Sequence, residues 1–235
     1  MSGFFVAGPW SFYYIEHTGR TGGIPWNAVN GITMQSIKTH EIRWFYKEPL
    51  EYLSTFFEQL PQGAATFEER TDAYLIPVLE KGVGIKIRAN RVEVKSRTGK
   101  PVPTEIAPGL KGYRETWVKY GFDLQADQRS DFNPAETPGD WMEVYKERRA
   151  TLVEVFQGNW NFHPVGTDLS NCVQFEYTRV GIQNRFWYTF GLEWPTTATE
   201  KIPERFYSEI IPQDSLQRQE SRGYPTFLYQ RISSR

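Results

Sequence analysis

The chain has 235 residues, with 27 Lys and Arg against 28 Asp and Glu and a formal net charge of −1. That length supports one domain with a sizeable core, two small domains being the alternative, and the balance of charge excludes bulk attraction to nucleic acid or a membrane surface. A single cysteine, Cys172, excludes an internal disulfide framework, and no apolar run approaches the ~20 residues that span a bilayer. The first residues, Met1-Ser2-Gly3-Phe4-Phe5, carry neither the basic region nor the apolar core of a secretory signal, so a cytoplasmic protein is expected.

In chain order, residues 1–36 read as a loop-rich aromatic lead with a short strand over 11–15, and residues 37–235 as a single domain. Residues 36–46 alternate as a strand, with Thr39, Glu41, Arg43 and Phe45 on one side and Ile37, His40, Ile42, Trp44 and Tyr46 on the other. Pro49 opens a helix whose Leu50, Leu53, Phe56, Phe57 and Leu60 form a core stripe, and Pro61-Gln62-Gly63 ends it. Residues 67–76 alternate again, with Glu68, Arg70, Asp72 and Tyr74 on one side. No helix opens after Gly82-Val83-Gly84, so a phosphate-cradling glycine loop is not expected there.

Residues 84–97 spell a hairpin turning at Ala89-Asn90. Ile85, Ile87, Val92 and Val94 share one face, and Lys86, Arg88, Glu93, Lys95 and Arg97 share the other. Residues 100–110, with three prolines, read as a connector, 114–124 as a strand with Trp117 and Lys119 on one face, and 125–139 as a loop. Residues 141–149 alternate, with Val144, Lys146 and Arg148 together. The pattern slips at Arg149-Ala150, which predicts a bulge or a turn into 152–156. A loop over 158–170, strands over 171–179 and 185–194 joined at Gly181, a helix over 202–211, a short one near 215–220 and a docking segment over 223–228 complete the chain.

About eight long strands with no strand–helix alternation disfavour a parallel sheet. The expected fold class is α+β, mostly β: an eight-stranded antiparallel barrel with a few flanking helices, a sandwich being the alternative. The polar strand faces then admit two readings. They are ordinary solvated faces of antiparallel sheets, or they line a barrel interior around an anion. Basic residues recur two apart in three strands, and the late strands add Gln174, Glu176, Thr178 and Glu193. Converging Lys and Arg suit phosphate oxygens, and neighbouring carboxylates suit Mg²⁺ or Mn²⁺.

At these residues the sequence resembles the CYTH domain of the triphosphate tunnel superfamily, which includes class IV adenylyl cyclases, thiamine triphosphatases and inorganic triphosphatases. Glu41-Ile42-Arg43, Arg70-Thr71-Asp72-Ala73-Tyr74-Leu75, Gly84-Ile85-Lys86-Ile87-Arg88 and Val92-Glu93-Val94-Lys95-Ser96-Arg97 look like its successive strands. Residues 187–193 resemble its penultimate acidic strand. Ser221-Arg222-Gly223-Tyr224-Pro225 resembles the ending of uncharacterised bacterial members. The resemblance covers roughly residues 37–228. It implies a charged tunnel with metal-dependent attack on triphosphate or another phosphoanhydride, and no organic cofactor. The family's opening Glu-x-Glu-x-Lys is incomplete here: Thr39-His40-Glu41-Ile42-Arg43 lacks the first Glu, and the other register, Glu41-Ile42-Arg43-Trp44-Phe45, lacks the second Glu and the Lys; the first is preferred, because Arg43 then does the lysine's work on phosphate.

The residues thus expected to act are Glu41 and Lys95 in catalysis, and Arg43, Lys86, Arg88, Lys95, Arg97, Lys119, Lys146 and Arg148 on the phosphates. Glu41, Glu176 and Glu193 are expected to hold Mg²⁺ or Mn²⁺. The incomplete motif also motivates a non-catalytic binder of a phosphorylated or polyanionic ligand on the same barrel, and a third reading keeps the barrel as a scaffold. The expected partner is a small phosphorylated anion, with no nucleic acid and no membrane. His17, His40 and His163 lack metal-ligand spacing, Cys172 reads as a small buried hydrophobe, and Gly99-Lys100 precedes a proline and lacks the rest of a P-loop.

Overall fold

The computed structural model describes residues 35–124, 134, 140–167, 169, 172–198 and 202–233, all within one compact unit that begins at Ile32. The expected strand over 11–15, almost all of the aromatic lead and nearly all of the loop over 125–139 lie outside these residues. Among the described residues there are ten strands: β1 (Gln35–Tyr46), β2 (Thr66–Leu75), β3 (Val83–Arg88), β4 (Arg91–Arg97), β5 (Val102–Ala107), β6 (Leu110–Asp123), β7 (Trp141–Phe156), β8 (Asn159–His163), β9 (Cys172–Ile182) and β10 (Arg185–Pro195). Three α-helices accompany them: α1 (Glu51–Gln59), α2 (Glu204–Ile210) and α3 (Tyr224–Ser233).

Eight of the strands close into an antiparallel barrel in the order β1-β10-β9-β7-β2-β3-β4-β6. Strand β1 makes the closure, because both of its edges are paired: Thr39 lies opposite Pro195 on β10 and opposite Trp117 on β6. Period-two alternation then sends one side chain in and the next out along every strand. On β1 the outward residues Ile42 and Trp44 join Phe175 and Tyr177 of β9 and Phe190 and Leu192 of β10 in an external core. Leu53 and Phe57 of α1 and Phe206 and Tyr207 of α2 cover it. Burying each such side chain contributes roughly 1.5–3 kcal/mol, and this core fixes which face of each strand points inward.

A second apolar cluster lies inside the barrel. Phe45, Tyr74, Met142, Val144, Val180, Ile182 and Trp187 meet Tyr224, Phe227 and Leu228 of α3. The Phe227 ring stacks on Phe45 at 3.9 Å, and Tyr224 meets Phe45 edge-on at 5.2 Å. The chain enters this end past Gly223, where a Cβ would lie 2.6 Å from Trp117 and 2.4 Å from Glu115, so only glycine passes. Pro225 then packs on Gly84. The helix therefore seals one end of the barrel.

Several expectations are corrected. The proline-bearing connector over 100–110 contains β5, a strand off the barrel that pairs with β6 alone. Its Pro103 is tolerated because an edge strand has one unpaired side, where a missing N–H costs no ladder bond. The loop over 158–170 contains β8, which pairs with β7. Strand β7 runs unbroken through Arg149-Ala150, with continuous register to both β2 and β9. The apparent slip arises because residues 150–153 are buried on both faces, so the apolar–polar alternation stops while the strand does not. The β9–β10 turn is at Gln183-Asn184, both with positive φ, and not at Gly181, which stays inside β9. Ile37 sits on the Glu41 side of β1, opposite Lys119. The segment over 215–220 holds only a single 3₁₀ turn, Arg218–Glu220, and the docking segment begins helix α3.

Candidate functional site

Beyond the apolar seal the lumen turns polar. A cavity of about 690 Å³ opens there, lined by inward residues of all eight barrel strands. Each strand contributes at alternate positions: Glu41 and Arg43 from β1, Glu68 and Arg70 from β2, and Lys86 and Arg88 from β3. Arg91, Glu93 and Lys95 come from β4, Lys119 from β6, and Lys146 and Arg148 from β7. Glu176 comes from β9 and Glu193 from β10. Tyr74, Gly84, Tyr224 and Pro225 form the floor. The side chains of Arg43 and Lys146 are 4% exposed, Lys95 is 20%, and Arg91 and Arg88 are 31% and 34%; Lys119, opposite Lys95 on the neighbouring strand, is 34%.

Nearly every charge is met by its opposite. Asp72, fully buried, accepts from Lys146 at 2.6 Å and from Lys86 and Arg70 at 3.2 Å each. Burial alone raises a carboxyl's pKa, but Lys146, Lys86 and Arg70 outweigh it and hold Asp72 well below the usual carboxylate range. Glu176 accepts from Arg43 at 2.8 Å and from Arg148 at 2.6 Å, and these two arginines overcome its burial in the same way. Glu41 accepts from Lys95 at 2.6 Å and, more loosely, from Arg43 at 3.4 Å. Glu93 bridges Lys86 at 2.9 Å and Arg88 at 2.6 Å. Arg97 donates to Glu115 at 2.6 Å.

Lys119 pairs with Glu193. Burial works against ionisation of Glu193, but Lys119 and Lys95 bring its pKa down to about 2. Lys95 and Lys119 lie directly opposite each other on β4 and β6. Burial, reinforced by Lys119, lowers the Lys95 pKa despite Glu41, whereas Glu193 and Glu41 raise that of Lys119 despite burial. Trp117 lies beneath Lys95, 4.6 Å from the ammonium to the ring centre, and supports it by cation–π contact.

Seven of the eight expected phosphate-side cations line the cavity, as do Glu41, Glu176 and Glu193. Arg97 alone sits outside the cavity lining, engaged by Glu115. His40 points outward to Thr116, His163 pairs with Glu154, and Cys172 is buried and free. The expected metal set is not assembled for a cation: Glu41, Glu176 and Glu193 are each engaged by Lys or Arg, and among the described residues no three His, Cys, Asp or Glu side chains group so as to hold a metal ion. These carboxylates fit ammonium and guanidinium partners, and as arranged they do not fit Mg²⁺ or Mn²⁺.

Site residues outside the expected set are Asp72, Glu68, Arg70, Glu115, Arg91 and Tyr224. For β2 the signal was present, since Glu68, Arg70 and Asp72 share one strand face. Arg91 stands two before Glu93 on β4, in phase with Lys95. Tyr224 gave no strand pattern; its ring faces Lys146 at 4.3 Å and Arg43 at 4.9 Å. Two glycines make room for the charged groups. A Cβ at Gly191 would lie 2.6 Å from the Arg43 guanidinium, and one at Gly121 would lie 2.6 Å from that of Arg91. No family model matches the chain, and no curated protein matches it.

Proposed function

We propose that the chamber binds a small polyanion, a phosphorylated compound of triphosphate size. The carrying observation is its charge: nine basic side chains line the cavity against five acidic ones, and with the buried Asp72 behind Lys146, Lys86 and Arg70 counted the surplus is three, inside a chain whose net charge is −1. Such a surplus in a walled cavity concentrates an anion more strongly than the same charges in open water. Arg43, Lys86 and Lys95 are the deep donors, with Lys119 opposite Lys95, and each already makes the charge-assisted contacts that phosphate oxygens would take over. A chamber of this volume, closed at one end by α3 among the described residues, suits a small molecule. No helix among the described residues is long and apolar enough to cross a membrane.

The strand motifs that resemble the CYTH domain support the same ligand chemistry. A second reading, a triphosphate-type hydrolase, rests on Glu41 and Glu193 standing opposite each other on β1 and β10 beside Lys95 and Lys119. It requires those carboxylates to leave their lysine partners. One experiment separates the two readings: calorimetric titration with inorganic triphosphate in EDTA, in Mg²⁺ and in Mn²⁺, with phosphate release followed in parallel. Binding is expected in EDTA, weakened about 10- to 100-fold in Lys95→Ala, the range set by losing a charged hydrogen bond of roughly 1.5–3 kcal/mol. Metal-dependent phosphate release abolished by Lys95→Ala would move the assignment to the hydrolase. No binding in any arm overturns both.

A further inference from the structure

At the outer end of the chamber Arg88 and Arg91 stand directly opposite each other across the β3–β4 hairpin. Like charges in register are normally destabilising, and here both side chains are about one-third exposed and line the cavity. Arg88 is held by Glu93. The ion-pair partner of Arg91 is Asp123, at 3.0 Å, whose side chain is 76% exposed. A surface pair of that kind neutralises weakly, so Arg91 is the lining arginine least compensated by its carboxylate. It is nonetheless built in. Its guanidinium lies across the inner face of Gly121, in space that any larger residue would occupy, with Nε at 2.7 Å and Nη2 at 2.6 Å from the position of a Cβ.

Arg91 and Lys95 share the inward face of β4, four residues apart, which at strand rise is about 13 Å. Glu93 stands between them, already bridged by Lys86 and Arg88. The wall therefore presents two cationic centres in line, a deep one at Lys95 and Lys119 and an outer one at Arg88 and Arg91.

We propose that the Arg88–Arg91 pair, seated by Gly121, is a second anion subsite, and that the ligand is an elongated polyanion whose far anionic group reaches it. This rests on the anion-binding reading above and adds the ligand's length to it. Inorganic triphosphate fills the deep centre alone; a longer chain fills both.

The test compares calorimetric affinities for inorganic triphosphate and for linear octaphosphate, in wild type, Arg91→Ala, Gly121→Ala and the external control Arg149→Ala. Gly121 has ordinary extended backbone, and the atoms its new methyl would meet are the tip of a flexible side chain, so Gly121→Ala keeps the fold and displaces the Arg91 head. Octaphosphate is expected to bind wild type more tightly than triphosphate. Arg91→Ala and Gly121→Ala are each expected to weaken octaphosphate about 10-fold while triphosphate stays within two-fold and Arg149→Ala changes neither. Equal loss for both probes, or an octaphosphate affinity untouched by Arg91→Ala, overturns the subsite. Wild type binding triphosphate with no gain for octaphosphate also overturns it and leaves the anion-binding reading standing; wild type binding neither probe defeats that reading itself.

Discussion

The two ends of the barrel lumen are built from the same strands, two residues out of step. At the α3 end the inward side chains include Phe45, Tyr74, Val144, Val180 and Trp187. Two positions further along those strands they become Arg43, Asp72, Lys146, Thr178 and Thr189, all buried. A step of about 7 Å along a strand thus separates a packed aromatic plug from a lattice of ion pairs. The apolar end needs only volume, which α3 supplies from a single helix. The charged end needs every group matched, and it recruits β1, β2, β3, β7 and β9 to satisfy Asp72 and Glu176 alone. The plug closes one side of the ion-pair lattice, and the most deeply buried pairs are the most costly to break.

If that contrast is right, the largest effect belongs to the charged end. Asp72→Ala removes the buried ion-pair partner of Lys146, while Lys86 keeps Glu93 and Arg70 keeps Glu68, and should cost about 3–5 kcal/mol, the range for breaking a buried pair. Arg149→Ala, which removes an exposed external pair with Glu58, should cost no more than about 1 kcal/mol. Urea unfolding of the two variants checks this, and similar midpoints would erase the distinction between inside and outside.

Next is the plug. Phe227→Ala should cost about 3 kcal/mol through the cavity it leaves against Phe45 and Trp187. It should also admit solvent to the floor of the chamber. Faster amide exchange in β1 near Arg43, out of proportion to the global loss of stability, is the expected sign. Unfolding that is wholly two-state with uniform exchange would show that the two ends are not separable.

Smallest per group is the acid limb. The Glu193 pKa is depressed to about 2, below an ordinary glutamate near 4.3, so its pair with Lys119 contributes full stability above that ordinary value. The contribution is lost as pH falls towards 2. Melting temperature should therefore decline from about pH 4.5 downwards, and Glu193→Gln should flatten part of that decline. Parallel acid curves for wild type and variant would place the acid sensitivity elsewhere.

Much of this lumen was legible from period-two alternation. It places Glu41 with Arg43, the β2 acids with Arg70, and Lys86 with Arg88, because a strand's parity survives folding. The β3–β4 hairpin was read correctly, turn included: Ala89 and Asn90 both have positive φ. What alternation cannot give is partnership. Glu176 looked available for a metal until its register with β7, and with β10 whose Gly191 lies between it and Arg43 of β1, put two arginines on it. Alternation also fails where both faces are buried, as at residues 150–153 of β7, and where a strand joins the sheet off the barrel, as β5 and β8 do. The plug was missed for a different reason. Tyr224, Phe227 and Leu228 suggest docking, but where they dock depends on Gly223 fitting beside Trp117 and Glu115, a contact between residues about a hundred positions apart.

The closing seam sets an order on the chain's maturation. Strand β1, at residue 35, completes the barrel by pairing with β10, whose last residue is Pro195, and α3 lies later still. No segment that stops short of residue 185 contains both sides of the β1–β10 seam, and none that stops short of residue 224 contains the aromatic stopper. During synthesis the arginines and carboxylates of the early strands therefore emerge before the acidic partners on β9 and β10 exist. The topology is one of high contact order, in which the ion-pair lattice is among the last structure to be completed.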